Sequence, residues 1–292
     1  MKSHLIIVPC HSIWNPFIEQ LNNYGQDSAH WYLAPFQFEG NDHLAFIKHG
    51  LKAIEILIED LQNSLVILSG GQTKAAAGPI SEAQSYYYLM SKLLHTYEDN
   101  NKRDALNFDD ETVSILNKIS TLMRDRNITL NNLFSPQNIT TEEFSLDSFD
   151  NLVFSIDRFH SVIDNYPREI SIVGFGFKSK RFIFHHARAI DFPPNKINYI
   201  AIEPQPSYDS TDKLKAYYEE LNVLENKNAL SLFANDWYAI KSPLIDKKRS
   251  RNPFKRSSVK TVPSLLRLDK FNGDEESHYN AYIKGRMPWS IK

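Results

Sequence analysis

Short apolar runs alternate with amphipathic segments from Leu5 to Ile202, and this alternation constrains the fold more than any other feature of the chain. A short apolar run between turn residues predicts a strand buried on both faces, and apolar residues at spacings of three and four predict a helix with one buried side. Strands that alternate with helices form a parallel sheet with helices on both faces. The sequence therefore predicts an α/β fold with a mainly parallel central sheet.

The pattern also gives an order of elements and a division of the chain. We expect strands at residues 5–8, 65–68, 169–175 and 198–202, and helices at 43–62, 82–95, 113–123, 147–163, 181–190, 211–224 and 226–239. Residues 1–245 are predicted to be one α/β domain, with a polar surface insertion at about 97–141. Residues 246–292 are predicted to be a basic C-terminal extension, either a free tail or a strap.

Composition narrows the functional classes. Hydrophobic residues make up 42% of the chain and charged residues 23%, which is ordinary globular usage. The net charge of -2 favours neither nucleic acid nor an anionic membrane, and no apolar run approaches the ~18 residues of a spanning helix. A single cysteine, Cys10, excludes an internal disulfide framework. We therefore expect a cytoplasmic protein, and the sequence identifies no protein partner.

Ligands of open parallel sheets bind beyond the carboxyl ends of the strands, so the residues that follow each strand are the candidates for a site. Ser69-Gly70-Gly71 follows the second strand, and we expect it to expose backbone amide donors to phosphate or carboxylate oxygens. It is neither a P-loop nor a dinucleotide fingerprint, and a tight turn with nothing bound explains it equally well. Cys10 and His11 follow the first strand, but adjacent residues of an extended chain point to opposite sides, which argues against a nucleophile–base pair.

Charged residues lie at three predicted helix starts. Glu82 lies in a first helical turn, where the helix dipole stabilises a carboxylate. Glu142, Glu143, Asp147 and Asp150 form an acidic run, in which Ser145 or Asp147 is a helix cap. Lys178 and Arg181 open a helix, where the dipole disfavours cations, so both require an anionic partner, either a carboxylate of the chain or a ligand.

These motifs, in this order, resemble the YdcF-like family (domain of unknown function 218), which includes SanA- and ElyC-like bacterial proteins. The resemblance rests on Leu68-Ser69-Gly70-Gly71 at a strand end, on Ser81-Glu82-Ala83 at a helix start and on the segment from Glu142 to Asn151, which includes Ser145. It also rests on Val173 to Arg181, where Lys178 stands in place of the usual histidine. It covers about residues 1–202.

The resemblance implies a Rossmann-like three-layer sandwich whose matched residues line one cleft. It also implies a nucleotide-like ligand such as S-adenosylmethionine, without an established general reaction. Fold-level resemblance supplies no mechanism, so whether the protein is an enzyme stays open.

Three functional hypotheses follow. The first is a small-ligand pocket formed by Ser69, Gly70, Gly71, Glu82, Glu142, Ser145, Asn151, Lys178 and Arg181. In this pocket Glu82, Glu142, Lys178 and Arg181 are the catalytic candidates and S-adenosylmethionine is the candidate cofactor, with no metal assigned. The second is a metal-dependent hydrolase of phosphate esters that uses the clustered carboxylates. The third is a non-catalytic protein that docks through the seven cations of residues 247–260, unless these fold as a strap over the acidic run of the same chain.

Overall fold

A sheet of five parallel strands forms the centre of the protein in the computed structural model, which describes residues 2–18, 22–257 and 262–290. The strand order is β3-β2-β1-β4-β5. The chain builds the sheet outward from β1 to one side and then returns to build the other side from β4, so the strand order switches between β1 and β4. The strands are β1 (His4–Pro9), β2 (Ser64–Ser69), β3 (Ile139–Glu142), β4 (Glu169–Gly174) and β5 (Ile197–Ala201).

Helices cover both faces of the sheet. The α-helices are α1 (Asp42–Glu59), α2 (Glu82–Glu98), α3 (Asp110–Asp125), α4 (Leu130–Leu133), α5 (Ser148–Ile163), α6 (Ala187–Ala189), α7 (Thr211–Glu225), α8 (Ser231–Asn235), α9 (Leu244–Ser250), α10 (Val262–Leu265) and α11 (Glu275–His278). Arg181–His186, Asn226–Leu230 and Tyr279–Ile283 are π-helical. Short 3-10 turns lie at Ser28–His30, Pro35–Gln37, Ala75–Ala77, Arg103–Ala105, Gly176–Lys178, Pro194–Lys196 and Leu268–Lys270.

Alternate residues of each strand point into two separate cores. From β1, Ile6 and Val8 pack with the core under α1, α2 and α3, whereas Leu5 and Ile7 pack with the core under α5. All four side chains are fully buried. This is the Rossmann-like three-layer α/β fold that the sequence predicts.

The predicted strands are all present, while the insertion differs from its prediction. Residues 97–141 are expected to be polar and irregular around one helix, yet they also contain the edge strand β3, and Leu116 and Ile119 of α3 are fully buried against the first core. The strand has the sequence Ile-Thr-Thr-Glu and lacks an apolar run, although Ile139, Thr140 and Glu142 are buried.

The C-terminal extension folds against the second core. Leu266, Ile283 and Trp289 are buried there, and the Trp289 indole donates a hydrogen bond to the backbone oxygen of Ile190 at 2.7 Å. Lys260, the last cation of the basic run, lies outside the described residues. Of the helices in the described ranges, none is long and apolar enough to cross a membrane.

Candidate functional site

A cleft of about 780 Å³ opens at the carboxyl ends of the strands. Five of the residues expected in the pocket line it, and the other four lie beneath it as part of its floor. The lining residues are Glu82, Ser145, Asn151, Lys178 and Arg181, and the floor residues are Ser69, Gly70, Gly71 and Glu142. The structure therefore brings together residues that come from four separate parts of the chain.

A buried polar network forms the floor at the ends of β2 and β3. The Ser69 hydroxyl donates to Oε2 of Glu142 at 2.6 Å, and the Ser145 hydroxyl donates to the same oxygen. Oε1 of Glu142 accepts the backbone amides of Phe144 and Ser145, and the Asn151 side chain donates to the Ser69 carbonyl at 3.0 Å. Burial raises the pKa of Glu142 to about 7, although these donors oppose the rise. The network ties β2, β3 and α5 together beneath the cleft.

The expectation that Gly70 and Gly71 offer amide donors to a ligand is wrong. The Gly70 amide donates to the Glu142 carbonyl at 3.0 Å, and the Gly71 amide donates to the Ser145 carbonyl at 2.9 Å. Glycine is needed here for close packing, because a Cβ on Gly71 would lie 2.7 Å from the Ser145 oxygen. Both glycines therefore hold the floor together rather than bind a ligand directly.

Glu82 lies at the first position of α2, in the turn that Ser81 caps by accepting the amide of Gln84 at 2.9 Å. The Thr73 hydroxyl donates to the carboxyl group of Glu82 at 2.5 Å. Burial raises the pKa of Glu82, while Thr73 and the cations of Arg251 and Lys74 lower it. The result is a buried carboxyl group with one fixed hydrogen bond at the wall of the cleft.

Arg181 has the internal partner that its position requires. Its Nε lies 3.1 Å from Oε1 of Glu225, and Nη2 donates to Oε2 of Glu225 at 3.2 Å. Glu225 ends α7, a helix that lies over the cleft. The sequence did not point to this pair, since Glu225 is one of several carboxylates on a largely exposed helix.

Lys178 has no such partner. Within residues 2–18, 22–257 and 262–290, no carboxylate lies within ion-pair distance of its amine, which lies 3.4 Å from Nδ1 of His11. The amine lies 5.0 Å from the centre of the Phe175 ring. Burial, followed by the charge of Arg181, lowers the pKa of Lys178 to about 7. Lys178 is therefore a cation of the cleft without an ion pair among the described residues.

Three further residues of the cleft were not assigned to the pocket from the sequence. His11 follows β1 and is stacked on Phe175 at 5.1 Å, and Asp42 is buried at the start of α1, where burial raises its pKa to about 7. Arg251 comes from the C-terminal extension and donates to the Leu146 carbonyl at 3.1 Å. Only His11 was marked in advance by a strand end, and no local pattern indicates that residue 251 reaches the site.

Cys10 also lines the cleft, but its thiol is not activated. Burial raises its pKa well above the usual value, and the carboxylate of Glu82 raises it further. The sulfur contacts the Val8 carbonyl at 3.6 Å. Since the thiolate is the reactive form, this environment argues against a nucleophilic cysteine.

The described part of the basic run forms a strap over the acidic run. The Lys248 amine lies 2.7 Å from Asp150 and 3.2 Å from Asp147, and it is largely buried between them. Arg256 lies against the carbonyl of Glu143 and over the ring of Phe144. Asp147 also caps α5 by accepting the Asp150 amide at 2.8 Å. Opposite charges within one chain thus account for Lys248 and Arg256 of the basic run and for Glu143, Asp147 and Asp150 of the acidic run.

The clustered carboxylates do not form a recognisable metal site. Across the residues that the structure describes, no group of three or more His, Cys, Asp or Glu side chains is arranged to hold a metal ion. Glu142 is occupied by its four donors, and Asp147 and Asp150 by Lys248.

The fold and the site together define a class: an α/β protein with a parallel sheet and a charged cleft at its strand ends. The uncharacterized protein YOR238W of Saccharomyces cerevisiae (strain ATCC 204508 / S288c) is 49% identical over 300 residues, which cover 99% of this chain and 98% of the yeast protein. The chain belongs to the family of this yeast protein. No family model matches the sequence, and no solved structure matches it.

Proposed function

We propose that the cleft binds a small molecule that carries an anionic group and an apolar or aromatic part. The observation that carries the proposal is Lys178, whose amine lies within the cleft with no carboxylate at ion-pair distance among the residues that the structure describes. A cation in such surroundings is costly unless an anion accompanies it. Arg251, which lines the same cleft without an ion pair among the described residues, is the second group for that anion.

The apolar walls suit the rest of such a ligand. Phe36 and Leu224 line the cleft and are 75% and 41% exposed, so both have apolar surface for a ligand to cover. The carboxyl groups of Glu82 and Asp42 accept hydrogen bonds from hydroxyl or amino groups. A nucleotide-like molecule combines these features, and S-adenosylmethionine, with its carboxylate and adenine, is the second candidate.

Binding of an anion beside Lys178 should weaken as the pH rises through about 7, because the amine loses its charge there in the free protein. Lys178→Arg should keep the affinity at high pH, since a guanidinium stays charged. Lys178→Met should lower it about tenfold or more. Isothermal titration calorimetry with inorganic phosphate, adenine nucleotides and S-adenosylmethionine, at pH values below and above the pKa of Lys178, measures the affinity. If folded protein gives no heat of binding with any of these compounds, the proposal is refuted.

We also propose that the chain is a member of the YdcF-like family. The support is the position of the motifs: Ser69 to Gly71, Ser81 to Ala83, Glu142 to Asn151 and Val173 to Arg181 surround one cleft.

A cytoplasmic location is likewise proposed, on the ground that the single cysteine is buried as a free thiol.

The two alternatives have less support. The metal-dependent hydrolase lacks a donor cluster among the described residues. Docking through the basic run requires free cations, whereas Lys248 and Arg249 are paired with carboxylates of this chain. No specific observation favours either alternative over the anion cleft.

A further inference from the structure

Lys178 lies in the cleft against two aromatic rings. It ends the 3-10 turn Gly176–Lys178 directly after β4, and its amine lies 5.0 Å and 5.5 Å from the ring centres of Phe175 and Phe177. These two rings are stacked on each other at 5.2 Å. The faces of these rings attract the ammonium form, whereas burial of the amine removes water from it and favours the neutral form.

The groups that face Lys178 divide into two sets. Burial and the guanidinium groups of Arg181 and Arg251 disfavour the ammonium, while Asp42 and Glu225 favour it, and together they place its pKa near 7. The charge of Lys178 also lowers the pKa values of four other groups around it: His11 after β1, His49 on α1, Glu82 on α2 and Glu203 after β5. At neutral pH a substantial fraction of the amine is therefore unprotonated.

His11 is positioned to exchange a proton with this amine. Its Nδ1 lies 3.4 Å from the Lys178 amine, and its Nε2 is buried without a hydrogen-bond partner among the described residues. Burial and the nearby cations lower the pKa of His11 well below its usual value, so the ring is neutral at pH 7. A neutral imidazole has one nitrogen free to accept a proton.

We propose that Lys178 is a nucleophile that forms an imine with an aldehyde or ketone carrying an anionic group. A desolvated lysine beside other cations is the form of lysine that reacts with carbonyl carbon. The inference rests on the proposed function, because the cleft must first hold the anionic group of the carbonyl compound. Arg251 and Lys74, which line the cleft without ion pairs among the described residues, are the groups for that anion.

The reaction balances without an oxidant or a metal. The lone pair of the neutral Lys178 amine forms a bond to the carbonyl carbon, and the carbon–oxygen π pair moves to the oxygen. One amine proton passes to that oxygen, with His11 as the intermediate acceptor, to give a carbinolamine. The oxygen then takes up the second amine proton and leaves as water while the carbon–nitrogen double bond forms. Asp42, whose pKa burial raises to about 7, is a carboxylic acid in the same cleft for the second proton transfer.

Reductive trapping tests this inference directly. The full-length protein is incubated with pyridoxal 5′-phosphate, an aldehyde with a phosphate group, in the presence of cyanoborohydride, and the modified lysines are mapped by mass spectrometry. Lys178 should be labelled about tenfold or more faster than the exposed Lys180 two residues away, because Lys178 lies within the cleft that holds the aldehyde and burial lowers its pKa to about 7. Its labelling rate should rise with pH through about 7 and then level off.

Two variants and one competitor separate the inference from the proposed function. Lys178→Arg keeps the positive charge and should abolish the fast labelling, whereas Lys180→Arg should leave it unchanged. Pyridoxine 5′-phosphate, which lacks the aldehyde, should bind in a calorimetric titration and slow the labelling. Labelling of Lys178 no faster than Lys180 overturns the imine while calorimetric binding leaves the anion cleft intact. Absence of both binding and fast labelling overturns both.

Discussion

Replacing Trp289 with alanine should lower the free energy of unfolding by about 3–5 kcal/mol. Trp289 is 8% exposed and lies against Tyr166 and Phe192, with ring centres 5.5 Å and 6.1 Å apart. Its indole hydrogen bond to Ile190 would also be lost, which leaves a buried carbonyl without that donor. The large effect is expected because the C-terminal extension is part of the second core.

Phe254→Ala is the matched control for this prediction. It lies in the same extension and is also aromatic, but it is 38% exposed, so its removal should change stability by no more than about 0.5–1 kcal/mol. Denaturant unfolding of both variants measures the difference. Equal, small effects of the two substitutions would mean that residues 262–290 do not pack as described. The hypothesis of a free docking tail would then gain support.

Removal of the Glu142 carboxylate should cost roughly 3–5 kcal/mol of stability in Glu142→Ala, since four buried donors would lose their acceptor at once. The neighbouring Glu143→Ala is its control. Glu143 is half-buried and accepts the Thr141 hydroxyl at 2.9 Å, so a loss of about 1 kcal/mol is expected. The same denaturant measurement decides between them, and similar values for the two variants would contradict the floor network.

The pH dependence of folding stability gives a second test of the role of Glu142. Its pKa is raised from 4.5 to about 7 in the folded protein, so between these values the folded state holds a proton that the unfolded state has released. The contribution of Glu142 to stability therefore falls as the pH rises from 4.5 to about 7. Since Gln does not titrate, the stability difference between the wild type and Glu142→Gln should shrink over this window. A difference that stays constant with pH would contradict the raised pKa.

The sequence was sufficient to predict the layers of the fold because its central strands are buried on both faces. Such strands read as continuous apolar runs, as in Leu65–Leu68, and their helices carry apolar residues at helical spacing. The edge strand β3 escaped prediction because its sequence, Ile-Thr-Thr-Glu, contains no continuous apolar run, although Ile139 and Thr140 are buried in the folded protein. A search for apolar runs therefore misses a strand that buries polar side chains.

The site was predictable where a strand end, a helix start or a family motif marks a residue. Lys178 and Arg181 follow β4, Glu82 begins a helix, and Ser145 and Asn151 lie in the motif from Glu142 to Asn151. The roles of Gly70 and Gly71 were misjudged, because whether an amide is free depends on the Ser145 and Glu142 carbonyls, which come from a distant segment. Arg251 and the Arg181–Glu225 pair depend on how α7 and the extension fold back over the cleft, and no spacing in the sequence encodes that contact.

A crystal soaked with tungstate, an oxyanion with strong anomalous scattering, tests the central claim most directly. An anomalous peak within the cleft, at hydrogen-bond distance from the Lys178 amine and the Arg251 guanidinium, is the result that we predict, and the peak should weaken in crystals of Lys178→Met. Tungstate found solely on the outer surface, with Lys178 joined to a carboxylate of its own chain, would contradict the anion cleft.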